Sequence, residues 1–190
     1  MRAGERGDPA LLELIREDLI ANFGEPFRPG FQAVAVYRFG AWSLRVGTRQ
    51  HRLVRTLCTL LYKVAEVFVR NFYGIELPRE CRVGRRLRIG HQNGIVVSPF
   101  AQIGDDCVLR QNVTIGQAVG DGKAPILGDK VDIGAGAVLI GGIRIGTGAH
   151  IGPNVVVTRD VPDGATLFAQ PPRVISMHPQ RGASVEPGNT

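Results

Sequence analysis

The chain has 190 residues, 44% of them hydrophobic, which is enough for one domain with a hydrophobic core plus an appendage. Its apolar runs fall short of the roughly 18 residues of a membrane-spanning helix, and the polar start, MRAGERGDPA, lacks the apolar stretch of a secretory signal. The cysteines, Cys58, Cys81 and Cys107, are far apart and show no metal-binding spacing. We therefore expect a cytoplasmic protein with reduced thiols and no metal ion.

The net charge of +6 arises in the first half of the chain, because residues 1–90 carry 16 Lys and Arg against 9 Asp and Glu. A basic cluster of this kind attracts phosphorylated ligands, anionic lipid or nucleic acid. No interleaved aromatic residues and no nucleic-acid motif accompany it, so we expect no nucleic-acid partner. A charged, solubilising surface is the competing interpretation. The densest part of the cluster consists of Arg79, Arg82, Arg85, Arg86 and Arg88.

Residues 1–73 are predicted to form a helical N-terminal region. Apolar residues recur at three- and four-residue spacing over residues 9–23, 31–46 and 53–73, and the Gly- and Pro-containing stretch 24–30 separates the first two segments. The third segment is apolar on a broad face and carries Arg70 near its end. We expect it to pack on its neighbours or to cap the rest of the fold, and membrane contact is not expected.

The next region, residues 74–168, repeats every six residues. A period of six fits neither a helix nor simple strand alternation, and it is typical of a parallel β-helix whose short strands turn a corner after each repeat. The aliphatic residues are expected to fill a narrow shaft, and the glycine that follows each leaves room at the corner. These aliphatic positions are Val83, Ile89 and Ile95, then after a two-residue slip Ile103, Leu109 and Ile115, and after an interruption Leu127, Ile133, Leu139, Ile145, Ile151 and Val157.

Two stretches depart from the repeat. Residues 117–125 (QAVGDGKAP) have the Gly and Asp content of a loop that leaves the stack. Residues 169–190 are rich in Pro and Gly, and we expect a short cover on the last coil followed by a flexible tail. Because a β-helix has no cleft of its own, its functional surface comes from such loops and from neighbouring copies.

Of the four histidines, His91 is the candidate for catalysis. It follows Gly90 at a corner and points outward, whereas the others, His51, His150 and His178, occupy positions expected to be solvated. With three repeats per coil, residues about 18 apart lie above one another, and a slip at the first turn can bring Glu76 beside His91. A carboxylate on one imidazole nitrogen leaves the other free as a base. Two independent surface residues are the alternative.

The segment IGHQNGIVVSPFAQIGDDCVLRQNVTIG, with the later IGAGA coil and the closing PPR, resembles the serine O-acetyltransferases of the hexapeptide acyltransferase superfamily. This resemblance implies a left-handed parallel β-helix of hexapeptide repeats, mainly β with an α-helical N-terminal region. It also implies a homotrimer, in some members a dimer of trimers, with acetyl-CoA bound between adjacent helices.

The resemblance further assigns site residues. His91 stands where the family has its general base and Glu76 where the family has the carboxylate partner of that base, which implies direct acetyl transfer without an acyl-enzyme. The positions that match the cofactor-binding walls and the phosphate-binding region are Gly116, Ala135, Gly136 and Arg173.

Some positions at the acceptor site depart from the family. Gly90 replaces the Asp before the base, Lys123 replaces an Arg, Ala124 replaces a His, and Glu25 stands where a helical-domain Asp is usual. Gly90, Lys123 and Glu25 are therefore the candidate substrate-binding positions. Because the ammonium group of serine needs carboxylates, these departures favour another acceptor, a saccharide or other small alcohol.

The N-terminal stretch EDLIANFGEPFRPGFQAVAVYRFG, followed by YGIELP, resembles the colanic-acid type of exopolysaccharide acetyltransferase and points the same way. Two alternatives stay open at this point. One is a genuine L-serine O-acetyltransferase of cysteine biosynthesis, and the other is a β-helix scaffold without catalytic activity.

Overall fold

The structure is a computed structural model that describes residues 10–45, 52–120 and 122–171. In these residues a helical region precedes a stack of short strands. Helix α2 begins at Pro29, so the Pro29–Gly30 pair starts a helix and does not separate two, because a proline at the first helical position needs no N–H donor. The helical elements are α1 (Leu11–Ala21), α2 (Pro29–Arg45), α3 (Arg52–Phe68) and a π-helix (Val69–Tyr73).

The described part of the stack contains fourteen strands of two or three residues each. They are β1 (Ile75–Glu76), β2 (Arg82–Val83), β3 (Arg88–Ile89), β4 (Ile95–Val97), β5 (Gln102–Ile103), β6 (Val108–Leu109), β7 (Thr114–Gly116), β8 (Ile126–Leu127), β9 (Asp132–Ile133), β10 (Val138–Ile140), β11 (Arg144–Ile145), β12 (His150–Ile151), β13 (Val156–Val157) and β14 (Thr166–Leu167).

These strands form three parallel sheets that are the faces of a triangular prism about five coils high. Sheet A has the order β1-β4-β7-β10-β13, sheet B the order β2-β5-β8-β11, and sheet C the order β3-β6-β9-β12-β14. Each coil visits A, B and C in turn and then rises to the next coil. The predicted fold class, a left-handed parallel β-helix of hexapeptide repeats with an α-helical N-terminal region, is confirmed.

The shaft of the prism is the hydrophobic core. Leu109, Ile115, Ile133 and Leu139 are completely buried, as the six-residue period predicted. The small or β-branched residues four positions after Leu109, Ile133 and Leu139 are also buried, because they face the shaft from the corner. Every coil therefore buries several aliphatic side chains, each contributing about 1.5–3 kcal/mol to folding.

The strand register places the two-residue slip at the corner of His91. The first and second coils are offset by 20 residues on sheets B and C, whereas β4 and β7 are offset by 18. The extra residues therefore lie between Ile89 and Ile95, and Val97 pairs with Ile115. The predicted slip after Ile95 is wrong, because Ile95 and Val97 are both buried and either one can continue the repeat.

Side chains of the helical region take the place of a missing coil below the first strand of sheet C. Asn22, buried at the end of α1, donates from Nδ2 to the Leu87 carbonyl at 2.9 Å and accepts at Oδ1 from the Ile89 N–H at 3.1 Å. Asp18 accepts from the Leu87 N–H at 3.2 Å. These bonds satisfy backbone groups that an uncovered sheet edge would leave without partners.

Helix α2 likewise supplies hydrogen-bond partners for the first strand of sheet B. The Tyr37 hydroxyl donates to the Cys81 carbonyl at 2.9 Å and accepts from the Val83 N–H at 3.1 Å. Burial raises the pKa of Tyr37 to about 12, so the hydroxyl keeps the proton that it donates. Arg38 donates to the Val83 carbonyl at 2.9 Å and is held by the buried Asp18 carboxylate at 2.7 Å. The helical region and the first coil therefore form one hydrogen-bonded unit.

Two arginines of the basic cluster form ion pairs within the chain. Arg85 pairs with Glu13 at 2.7 Å and with Glu17, and Arg86 pairs with Asp106 at 2.6 Å. The hydrogen bond from Arg85 lowers the pKa of the Glu17 carboxyl. These arginines attach α1 to the first coil, which favours the internal, structural use of the cluster over a nucleic-acid surface.

Helix α3 packs on the rest of the chain less than its sequence predicted. Tyr62 is buried, whereas Leu53, Leu57 and Val64 are exposed by more than half of their surface. Much of its apolar face is therefore left uncovered within this chain. No helix of the described ranges is long and apolar enough to cross a membrane.

Candidate active site

His91 lies where the chain passes from sheet C to sheet A, which we name the C–A corner. Strand β3 ends at Ile89, and the five residues 90–94 lead into β4. Residues 91–94 are exposed, because the two extra residues carry this corner away from the wall of the prism. His91 therefore has the outward position that was predicted, and it has this position because the repeat is interrupted at its corner.

Glu76 is exposed on β1, directly below the strand that His91 leads into. It pairs in register with Val96 of β4, so Glu76 and His91 flank the same end of sheet A. In residues 10–45, 52–120 and 122–171 neither side chain makes a hydrogen bond or ion pair, and the structure does not join them directly. Their pairing stays a prediction.

The positions assigned to acetyl-CoA divide between two edges of the prism. Ala135 and Gly136 occupy the C–A corner two coils above His91, on the same edge. Gly116 ends β7 at the corner between sheets A and B, the A–B corner. Arg173 lies outside the described residues, as do His51 and His178.

The candidate acceptor-binding positions are also spread out. Lys123 is in the loop at the A–B corner, and its side chain lies over Gly142 of the next coil, where a Cβ would be 2.8 Å from the Lys123 Cβ. Its neighbour Ala124 is buried. Glu25, between α1 and α2, is exposed and pairs with Arg28 at 2.8 Å, which lowers the pKa of the Glu25 carboxyl. Lys123 and His91 of one chain therefore belong to different edges.

Gly90 has more space than other glycines at the same place in the repeat. A Cβ on Gly90 would be 3.8 Å from its nearest neighbour, the Leu109 carbonyl oxygen, whereas a Cβ on Gly134 would be 2.6 Å from the Pro153 nitrogen. Coil packing requires glycine at position 134 and does not require it at position 90. Residue 90 is therefore open to a side chain directly beside His91.

Sequence reasoning missed Gln111, which lies at the C–A corner one coil above His91. The Gly90 N–H donates to the Leu109 carbonyl at 2.9 Å and so aligns the two corners. Gln111 Oε1 is the one buried side-chain polar atom of the described ranges without a hydrogen-bond partner. A buried acceptor without a donor costs about 1–3 kcal/mol, which marks a place where a bound donor is favourable. Only the register of the strands, which places Gln111 one coil above His91, could have revealed this residue.

The cysteines offer no nucleophile at this corner. Burial raises the pKa of Cys107 to about 11 and that of Cys81 to about 12, so both thiols stay protonated at neutral pH. His150, the other described histidine, lies outward on β12 with Nδ1 3.4 Å from Asp132. In the described ranges no three His, Cys, Asp or Glu side chains form a group that could hold a metal ion.

Comparison with known proteins gives consistent matches. The family model described as bacterial transferase hexapeptide (six repeats) matches residues 124–159. The serine acetyltransferase of Mycobacterium tuberculosis is 36% identical over 149 residues, 77% of this chain, and the chain spans only 61% of that protein's length. The serine acetyltransferase of Helicobacter pylori is 32% identical over 153 residues, which cover 78% of this chain and 82% of that protein.

The fold matches solved structures as well. Soybean serine acetyltransferase complexed with serine superposes with a TM-score of 0.71 at 29% identity, covering 88% of this chain and 70% of that one. Because this coverage exceeds the β-helix alone, the helical region also matches a serine acetyltransferase. These relatives do not support the predicted N-terminal resemblance to colanic-acid-type enzymes.

The prediction of a saccharide or another non-serine acceptor is wrong, because the relatives that match along the chain are named serine acetyltransferases. It rested on the departures at Gly90, Lys123, Ala124 and Glu25 and on the colanic-acid-type resemblance. These positions do not show which other groups of the folded site can bind an ammonium ion. The relative from Helicobacter pylori, 32% identical and covered by this chain over 82% of its length, shows the family. The chain belongs to the serine acetyltransferases, in the hexapeptide-repeat superfamily.

Proposed function

We propose that this protein transfers the acetyl group of acetyl-CoA to the hydroxyl of L-serine. The observation that carries the proposal is the exposed imidazole of His91 in an extended corner, in a chain of the serine acetyltransferase family. The serine-bound soybean structure supports serine as the acceptor.

In this mechanism the imidazole of His91 removes the hydroxyl proton of serine while the hydroxyl oxygen attacks the thioester carbonyl. The carbon–sulfur bond then breaks, and the imidazolium returns the proton to the CoA sulfur, which leaves as a thiol. Glu76 orients the imidazole and stabilises its protonated form. The raised pKa values of Cys81 and Cys107 favour this direct transfer over a cysteine acyl-enzyme.

Acetyl-CoA acts as the co-substrate. We assign its pantetheine arm to the wall formed by Ala135 and Gly136, because small residues allow close approach to the backbone. Above Glu76, the outward face of sheet A continues with Val96 and Val156, which are exposed by 42% and 66%. An exposed aliphatic face suits the apolar part of the arm. Gly116 and Arg173 complete the proposed cofactor contacts.

Serine also brings an ammonium group, and Gln111 is our candidate to accept a hydrogen bond from it once the half-buried Gln111 side chain turns outward. Its buried Oε1 lacks a donor and belongs to the coil next to His91. A hydrogen bond to a charged group is worth about 1.5–3 kcal/mol, so Gln111→Met, of similar shape, should raise the KM for serine about tenfold or more. An unchanged KM for serine would exclude this role of Gln111.

The complete site requires more than one copy of the chain. His91 and Lys123 lie on different edges of the prism, so both can face one serine molecule only if the edge of a second copy supplies Lys123. This supports a homotrimer, alone or as a dimer of trimers. We also propose that the enzyme acts in the cytoplasm. Light scattering coupled to size exclusion measures the number of copies, and a monomer at working concentration would contradict the shared site.

The direct test is release of CoA thiol from acetyl-CoA in the presence of serine, with formation of O-acetylserine followed by mass spectrometry. Glycine, which has no hydroxyl, is the matched control acceptor. We expect saturable turnover with serine and only background hydrolysis with glycine. Equal thiol release with both amino acids would overturn the proposed function.

A further inference from the structure

We propose that Asn22, in the helical region, is a positioning residue for His91. The inference rests on the proposed function, because it assigns Asn22 a role in the same reaction. Asn22 precedes His91 by 69 positions in the chain and belongs to the end of α1.

The His91 side chain makes no hydrogen bond within the described ranges, so its position depends on the backbone on either side of the corner. On the side of the second coil, the Gly90 N–H donates to the Leu109 carbonyl at 2.9 Å. On the opposite side there is no coil. There the Ile89 N–H donates to Asn22 Oδ1 at 3.1 Å, and the Asn93 N–H donates to the Tyr73 carbonyl at 2.8 Å. Of these anchors, only Asn22 acts through a side chain.

Asn22 is itself held rigidly. Its Nδ2 donates to the Asp18 carbonyl at 2.7 Å as well as to the Leu87 carbonyl at 2.9 Å, so both amide hydrogens and the oxygen are used. The Asp18 carboxylate in turn accepts from the Leu87 N–H and pairs with Arg38. Asn22 and Asp18 are completely buried. The strand before His91 therefore cannot shift relative to α1 without breaking several buried hydrogen bonds.

A general base must meet the hydroxyl proton within hydrogen-bonding distance. A displacement of about 1 Å from that position can lower the rate about 100-fold. If Asn22 sets the start of the corner, its loss should lower kcat while the KM for acetyl-CoA stays close to its original value, because the cofactor wall lies on higher coils. A purely structural residue would lower stability without this selective effect on kcat.

Tyr37 provides a matched control. Its hydroxyl makes the same pair of bonds on sheet B that Asn22 makes on sheet C, one donated to a carbonyl and one accepted from an N–H. Tyr37→Phe and Asn22→Leu each remove the polar group with little change of shape. Both should lower the melting temperature, but only the strand edge capped by Asn22 leads to His91.

The experiment compares kcat, KM and hydrogen exchange of residues 88–95 in the full-length wild type and both variants. We expect Asn22→Leu to lower kcat about 10- to 100-fold and to speed exchange at the corner, and Tyr37→Phe to change neither by more than about twofold. Asn22→Ser, whose shorter side chain keeps a hydroxyl at this position, should lie in between and replaces Asn22→Leu if that variant does not fold.

Equal kcat values and equal exchange in the Asn22 and Tyr37 variants would overturn the positioning role. If the wild type itself transfers no acetyl group to serine, the proposed function fails, and exchange at residues 88–95 decides alone whether Asn22 holds the corner. The two failures are therefore distinguishable.

Discussion

Two corners on the same edge of the prism, one coil apart, differ by two residues. The corner at His91 has five residues between the buried Ile89 and Ile95, and residues 91–94 are exposed. The corner above it has three residues between Leu109 and Val113, and Gln111 is half-buried, with its Oε1 atom inside the structure. The regular coil supplies a wall, and the inserted residues carry the exposed His91 away from it. The proposed general base therefore lies where the repeat is interrupted.

The largest effect is expected from removing the side chain that distinguishes the extended corner. His91→Ala should lower kcat about 10²- to 10⁴-fold, because the general base is lost, while the exposed position leaves the fold intact. The control is His150→Ala on β12, an outward histidine away from the extended corner, which should keep near-normal activity. Thiol release from acetyl-CoA measures both. Similar rates for the two variants would contradict the role of His91.

The corner can also be made regular while His91 is kept. Deletion of Gln92 and Asn93 leaves Gly90, His91 and Gly94 between the buried residues, which is the length of the corner above. We expect a folded protein, by circular dichroism and thermal unfolding, whose kcat is about 100-fold lower because the imidazole is drawn toward the wall. Full activity in the shortened protein would show that the extension is dispensable.

The extended corner can also be given an additional side chain, at Gly90. Because a Cβ there has open space and the backbone has no positive φ, Gly90→Asp should fold without strain and add a carboxylate beside His91. A charge-assisted hydrogen bond of about 1.5–3 kcal/mol should lower the KM for serine about tenfold. Gly90→Asn, of equal size but neutral, is the control. If Asp and Asn have the same effect, charge at this position does not bind serine.

The smallest effect is expected on stability, at two glycines of higher coils, Gly136 on the same edge and Gly148 on the edge between sheets B and C. Gly136 and Gly148 both have left-handed backbones, with φ of 72° and 69°, but a Cβ on Gly136 would clash with Asn154 Oδ1 and a Cβ on Gly148 would touch nothing within 4 Å. Gly148→Ala should cost about 1–2 kcal/mol from backbone strain alone. Gly136→Ala should cost more, as measured by urea unfolding. Equal losses would mean that the Asn154 side chain moves aside freely.

Much of the fold was predictable because burial in a coil repeats locally. The period of six identified the shaft residues, and helical spacing identified α1, α2 and α3. The same reasoning misplaced the slip, since Ile95 and Val97 are equally apolar and only strand pairing tells them apart. The corner glycines do leave room, since a Cβ on Gly134 would be 2.6 Å from the Pro153 nitrogen, but other residues also make the turns. The left-handed turns in fact include Asn112, Asn154 and Lys130, which accept positive φ without a sequence signal as strong as glycine.

The site was predictable to a smaller degree. His91 stood out because it follows a corner glycine, but the hydrogen bonds of Asn22 to the strand before His91 and the unpaired oxygen of Gln111 could not be seen in a linear pattern. The basic cluster looked like a binding surface for the same reason, because the acidic partners of Arg85 lie on α1.

By itself, the sequence determined the six-residue coil, the apolar shaft and the outward histidine, because these follow from the alternation of buried and exposed positions along neighbouring residues. Only the tertiary structure decided where the coil is extended, what completes its first edge and which polar atom is left without a partner. The physical reason is distance along the chain: the bonds from Asn22 to the strand before His91 join residues 65 and 67 positions apart. Such pairings exist only once the helices have docked on the first coil.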